Sequence, residues 1–206
     1  MKTPIIGVVD YGVGNLASIR GTLRQCGYRT RVSKIPEQLL KTDLLLLPGV
    51  GAFPAAREAL SSSHLDEFLV ARARSGKPLL GICLGMQLLG EQSTEVRVTQ
   101  GLCLIPGYVT QIENHKSHTG WNQVEVNDLK SHVRAAEGCD VYYNHSFQFN
   151  STPKFSVAVS HISPGTSICA AIQHENIVGL QFHPEKSQQN GRMILKNILE
   201  SMSNAQ

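Results

Sequence analysis

Two segments of this 206-residue chain carry residue types and spacings suited to nucleophilic chemistry. In Gly81-Ile82-Cys83-Leu84-Gly85, a cysteine stands between two glycines where an apolar strand gives way to a helical pattern containing Met86, Leu88 and Leu89. That is the form of a nucleophile elbow. So sharp a turn needs residues without side chains beside the nucleophile, and it presents the thiol at the carboxyl edge of a sheet. A helix amino terminus there would favour the anionic, reactive sulfur, because its backbone N–H groups are unpaired. A buried cysteine in a tight packing turn would give the same pentapeptide, so a second segment has to decide.

Gln181-Phe182-His183-Pro184-Glu185 closes an apolar run that starts at Ile177. In extended chain a two-residue spacing points His183 and Glu185 to the same side. A thiol nucleophile needs a base to take its proton and return it to the leaving amine, and that base needs a third group to fix its tautomer. Cys83, His183 and Glu185 fill those roles. The negative oxygen of a tetrahedral intermediate needs N–H donors. Two sources are apparent, the amide of Leu84 and the turn Pro48-Gly49-Val50-Gly51, although an ordinary strand-to-helix turn would look the same. His64, His115, His118, His132, His161 and His174 read as structural; His115 and His118 could pair on a metal, but no third ligand accompanies them.

These segments must be positioned by a sheet. Ile5 to Val9, Asp43 to Leu47 and Leu79 to Ile82 are short apolar runs ended by Gly or Pro turns, as expected of parallel strands covered on both faces. Between them, Leu16 to Cys26 and Phe53 to Arg74 have helical spacing, the latter with a break near Ser61-Ser62-Ser63; Arg29 to Ser33 reads as a further strand. The second half is richer in strands: Tyr108 to Ile112, Asn122 to Val126, Cys139 to Tyr143, Phe155 to His161, Ser167 to Gln173 and Ile177 to Phe182, with a hairpin turn at His174-Glu175-Asn176 and a final helix from near Gln189. The expectation is one α/β domain over 1–206: a mixed, mostly parallel central sheet flanked by helices, flavodoxin-like, with an antiparallel extension in the second half.

Composition narrows the function classes. Hydrophobic residues at 41% and charged residues at 17% suit a globular chain, and scattered basic residues with a net charge of +3 do not imply nucleic acid. The apolar runs fall far short of the roughly 20 residues a membrane helix needs, and no leader pattern is seen, so a cytoplasmic location is the expectation. Five widely spaced cysteines form no CxxC pair. Cys26, Cys103, Cys139 and Cys169 therefore read as small buried hydrophobes.

Taken together, the motifs resemble the class I, triad-type glutamine amidotransferases. Within them the chain is similar to the glutaminase subunits of imidazole glycerol phosphate synthases, through Asp10-Tyr11-Gly12-Val13-Gly14-Asn15-Leu16, Pro48-Gly49-Val50-Gly51-Ala52-Phe53, Gly101-Leu102-Cys103-Leu104-Ile105-Pro106-Gly107, Gly120-Trp121-Asn122 and Gln181-Phe182-His183-Pro184-Glu185-Lys186-Ser187. The resemblance implies L-glutamine as substrate, no cofactor and no metal, and a heterodimer with a (β/α)8-barrel synthase that receives ammonia through a channel. It implies Val50 and Leu84 as oxyanion donors. Gly51, Gln87, Glu95, His145 and Ser146 would contact glutamine, while Asn15, Trp121 and Lys186 would face the partner. The chain departs from the subfamily pattern at Ser117, Asn144 and Phe147, and is short of acidic and glycine residues between Glu91 and Gly101. Competing expectations are a paralogue that aminates a nucleotide sugar or surface polysaccharide precursor, a module that kept the fold without turnover, and a cysteine peptidase. Cys83→Ala should abolish glutamine-dependent synthesis by the complex and leave ammonia-dependent synthesis intact, as parallel assays with the two nitrogen sources would show.

Overall fold

The computed structural model describes residues 3–113 and 116–204. In the first half, apolar strands alternate with crossover helices. Strand β1 (Ile5–Val9) leads into α1 (Leu16–Gln25), β2 (Arg29–Ser33), α2 (Pro36–Leu39) and β3 (Leu44–Leu47). Helices α3 (Phe53–Ser62) and α4 (Leu65–Arg74) then carry the chain to β4 (Leu79–Ile82), and α5 (Leu84–Leu88) follows β4 after a single residue, Cys83. The second half runs through β5 (Gln92–Ser93), β6 (Thr99–Gln100), β7 (Tyr108–Gln111), β8 (His118–Gln123), β9 (Glu125–Val126), β10 (Asp140–His145) and β11 (Phe147–Asn150). The hairpin strands β12 (Ser156–Ser163) and β13 (Thr166–His174), then β14 (Ile177–Leu180) and α6 (Gln188–Asn204), complete it.

The main sheet has the order β2-β1-β3-β4-β14-β13-β12-β9. From β2 to β14 neighbouring strands pair in parallel, the order of a flavodoxin-like doubly wound fold. Strands β13, β12 and β9 then add antiparallel pairs, as the sequence led us to expect. A smaller sheet of order β11-β7-β5-β6 and a β10–β8 ribbon stand beside it.

Each residue of β3 is at most 1% exposed, because helices cover both faces. Period-two alternation divides the strands' side chains between two cores. Ile6, Val8, Leu44, Leu46, Leu80 and Ile82 meet Ile19 and Leu23 of α1 and Ile194, Leu195 and Ile198 of α6. Val9, Leu45, Leu47 and Leu79 meet Phe53, Leu60 and Leu69 of α3 and α4. At about 1.5–3 kcal/mol for each fully buried leucine, these layers hold the strand ends in register.

Several expectations need correction. The strand expected over Asn122 to Val126 is split between β8 and β9 at Val124, whose N–H donates to the Cys139 carbonyl (3.0 Å). The strand expected to reach Phe182 stops at Leu180. Cys103 is exposed rather than buried, on a left-handed turn residue with φ 51°. His115 lies outside the described residues. Among the described residues no helix is long and apolar enough to cross a membrane, and no cluster of His, Cys, Asp and Glu is arranged to hold a metal ion.

Two glycines make opposite demands on the fold. A Cβ on Gly191 would collide with the Pro184 carbonyl, so α6 can lie against the turn after β14 only with glycine there, whereas a Cβ on Gly21 in α1 would meet nothing within 4 Å. Gly191→Ala should therefore destabilise by about 1–3 kcal/mol, and Gly21→Ala should stabilise by about 0.5–1 kcal/mol, measured as shifts in chemical-denaturation midpoint.

Candidate active site

Three adjacent parallel strands deliver the candidate residues to one edge. Leu47 of β3 pairs with Gly81 of β4, and Ile82 of β4 pairs with Leu180 of β14. The turn at Pro48, the cysteine at 83 and the segment leading to His183 therefore all emerge at the carboxyl ends of neighbouring strands, where doubly wound sheets place their ligands.

Cys83 has φ 54° and ψ −111°, a backbone conformation that costs about 1–3 kcal/mol for a residue with a side chain. Its flanking glycines are required by packing. A Cβ on Gly85 would run into the Leu47 carbonyl, and one on Gly81 would stand 2.6 Å from the Gly85 carbonyl oxygen. The turn from β4 into α5 is thus compressed against the end of β3. The cysteine is left 6% exposed, with its Sγ 4.0 Å from the Asn144 carbonyl and 3.7 Å from the Gln181 amide nitrogen.

His183 follows β14 with its N–H donating to the Tyr142 carbonyl (2.9 Å). Its Nδ1 lies 2.8 Å from Glu185 Oε1, and both side chains are 2% exposed. The pair meets across a 3-10 turn, Pro184–Lys186, and not along extended chain as the two-residue spacing suggested. Ser187 supports that turn: its hydroxyl donates to the His183 carbonyl (2.7 Å) and accepts from Tyr142 N–H (2.9 Å). Burial is the largest influence on the His183 ring and disfavours its charged form, but the Cys83 sulfur and the Glu185 carboxylate together outweigh it and raise the pKa from 6.5 to about 10. The Nε2 atom has no hydrogen-bond partner among the described residues, while the Cys83 sulfur lies near enough to raise the pKa of the ring.

A cavity of about 220 Å³ opens on Cys83 and is lined by Val50, Gly51, Leu84, Gln87, Glu95, Asn144, His145, Ser146 and Phe147. Both expected oxyanion residues and all five expected glutamine contacts border this one space, along with two of the positions that depart from the subfamily pattern, Asn144 and Phe147. His183 and Glu185 are not among the residues that line it. The volume is below the range of about 300–1,000 Å³ typical of larger ligands and suits a small metabolite.

The lining is tied down. Gln87 donates its amide to the Phe147 carbonyl (2.8 Å) and to Gln181 Oε1 (3.1 Å). Glu95 Oε2 accepts the Phe53 N–H (2.8 Å) at the start of α3. Burial pushes His145 down to about 4, so its ring is neutral near physiological pH; Nδ1 lies 2.8 Å from the Phe147 carbonyl and Nε2 lies 3.1 Å from His118 Nδ1. Sequence reasoning gave no role to Gln181 and read His118 as structural, with no link to His145. The only signal for Gln181 was a polar residue ending an apolar run, and it is fully buried.

Two of the expected partner-facing residues meet on one aromatic ring. Trp121 is 46% exposed and packs edge-on against Tyr142 (5.9 Å), over whose ring the Lys186 ammonium stands at 5.5 Å. Asn15 is exposed but has a structural task, capping α1 by accepting the Ser18 N–H (3.2 Å).

Residues 7–202 match the family described as glutamine amidotransferase class-I. The chain belongs to the class-I glutamine amidotransferase family. Amidotransferase relatives include the imidazole glycerol phosphate synthase subunit HisH of Listeria innocua, 42% identical over 95% of each chain. The protein of the same name from Lactococcus lactis is 38% identical, covering 96% of this chain and 98% of its own. Among solved structures, PurLQS from Thermotoga maritima aligns with a TM-score of 0.76 at 20% identity over 97% and 99% of the two chains. A glutamine amidotransferase from the same organism aligns with a TM-score of 0.71 at 16% identity over 98% and 99%. At those identities the structures speak to the shared amidotransferase fold alone.

Because the folded pKa of His183 lies above its ordinary value, the charged ring contributes its stabilisation in full below about pH 6.5, and that contribution is lost as pH climbs through about 10. Glu185→Gln should lower the ring's titration midpoint and bring the alkaline loss of stability to lower pH. NMR titration of the ring proton, with thermal melts across the same range, measures both.

Proposed function

We propose that this chain is the glutaminase subunit of an imidazole glycerol phosphate synthase in histidine biosynthesis. It hydrolyses L-glutamine to glutamate and ammonia and passes the ammonia to a (β/α)8-barrel synthase subunit, which makes imidazole glycerol phosphate and an aminoimidazole-carboxamide ribonucleotide. The carrying observation is the single cavity that joins Cys83 to both oxyanion candidates and all five glutamine contacts, with the His183–Glu185 pair near enough to Cys83 for the sulfur to act on the ring. Identity of 42% to a HisH subunit over 95% of each chain supports this choice of acceptor over other amidotransferase pathways.

In this reading Cys83 Sγ attacks the side-chain carbonyl carbon of glutamine. Negative charge gathers on the carbonyl oxygen, where the N–H groups of Val50 and Leu84 receive it. The imidazolium of His183, held by Glu185, gives its proton to the nitrogen as the C–N bond breaks and ammonia leaves. A glutamyl thioester remains. Water then attacks it, with neutral His183 taking the proton, and glutamate departs. Within the pocket, the Glu95 carboxylate suits the substrate ammonium, and Gln87, His145, Ser146 and the Gly51 backbone suit its polar ends. The chemistry is complete with thiol, imidazole and water. We further propose one cytoplasmic domain over 1–206, with Asn15, Trp121 and Lys186 on the docking face.

The turn at Val50 and Gly51 gives the partner something to set. Gly51 has φ 98° with open space around it, and Val50 is 40% exposed. Glutaminase activity of the isolated chain should therefore be weak. If the synthase fixes one oxyanion donor, the rise on assembly should be on the order of 10²–10³-fold. Co-purification with the barrel subunit, followed by glutamine turnover and imidazole glycerol phosphate formation with and without its ribonucleotide substrate, tests this. Rapid hydrolysis by the lone chain, unchanged on adding the synthase, would contradict it.

A further inference from the structure

Strands β1 and β3 are parallel neighbours, with Val8 opposite Leu46, so residues just beyond the end of β1 stand beside those just beyond β3. Tyr11 and Pro48 occupy those places. Tyr11 is 6% exposed, and its hydroxyl donates to the Pro48 carbonyl across 2.6 Å. Burial, with a smaller contribution from Cys83, pushes the hydroxyl well above the ordinary phenol range, so it keeps its proton and remains a donor.

The surroundings divide the turn in two. Pro48 has its φ fixed by its ring. Gly49 has no room for a side chain: a Cβ would lie 2.7 Å from the Tyr11 hydroxyl, 2.8 Å from Leu84 Cβ and 2.9 Å from the Gly85 nitrogen. A Cβ on Gly14, in the same β1–α1 turn as Tyr11, would stand 3.4 Å from the Pro48 ring. One residue further on the packing ends, at exposed Val50 and unencumbered Gly51.

We infer that Tyr11 is a positioning residue for the glutaminase step: its hydroxyl anchors the Pro48 carbonyl and so confines movement of the oxyanion turn to the peptide that carries the Val50 N–H. The inference rests on the amidotransferase reading above. Tyr11 acts through the turn and touches no reacting atom. Its loss should move the oxyanion donor without disturbing either the thiol or the grip on the substrate's polar ends.

The test compares wild type and Tyr11→Phe, each assembled with the synthase subunit. Removing an oxyanion donor costs about 10²–10³-fold in kcat, so misplacing one should cost roughly 10- to 100-fold. KM for glutamine and the rate of Cys83 alkylation by iodoacetamide, followed on its own peptide by mass spectrometry, should each stay within about twofold. Ammonia-dependent synthesis should not change. An unaltered kcat overturns the inference, and so does a fall in kcat matched by equally slow alkylation, which would mean general damage to the site. If the wild-type complex itself fails to hydrolyse glutamine, the functional reading falls first and takes this one with it. A second measurement needs no variant: the hydroxyl proton of Tyr11 should appear in the wild-type proton NMR spectrum as a slowly exchanging resonance. A freely exchanging hydroxyl would remove the anchor.

Discussion

The site depends on how closely the turn after β3 and the turn from β4 into α5 approach each other. Gly49, Gly81 and Gly85 are the means. Any side chain at these positions would strike backbone or a buried neighbour, among them the Leu47 and Gly85 carbonyls. The register that pairs Leu47 with Gly81 and Ile82 with Leu180 converts this proximity into function, because the turn, the cysteine and the histidine leave the sheet at the same level. Were one strand to slip by a residue, every side chain on it would change faces and the constellation would be lost.

Burial sets the electrostatics of what has been assembled. Two histidines at the same edge are driven in opposite directions. Burial pushes His145 down to about 4, with neighbouring His118 adding to the fall and the Phe147 carbonyl opposing it, whereas at His183 the Cys83 sulfur and the Glu185 carboxylate outweigh burial and the value rises to about 10. One ring can thus offer a neutral polar surface to a ligand while the other holds a proton for a leaving group. The difference comes from partners, since both rings are buried.

The parallel half of the sheet was legible in the sequence because burial on both faces leaves uninterrupted apolar runs such as Leu44 to Leu47. Cys83 was legible because its glycines are a local requirement, and His183 with Glu185 because two residues of chain limit how far they can separate. What escaped depends on distant packing. The contact of Gln181 with Cys83 spans 98 residues, and the His118–His145 pair spans 27; neither has a local signature. Glu95 was named through the family resemblance, but its bond to Phe53 N–H, 42 residues away, has no local signature either. The 3-10 turn at Pro184 was misread as extended because a His-Pro-Glu triplet satisfies either geometry.

The strained backbone at Cys83 has an evolutionary corollary. A glycine at that position would adopt φ 54° without steric penalty, so the fold by itself would accept a substitution that ends the chemistry. Random change therefore drifts toward a sturdier, inert protein, and a thiol persists at this corner only where turnover is under selection.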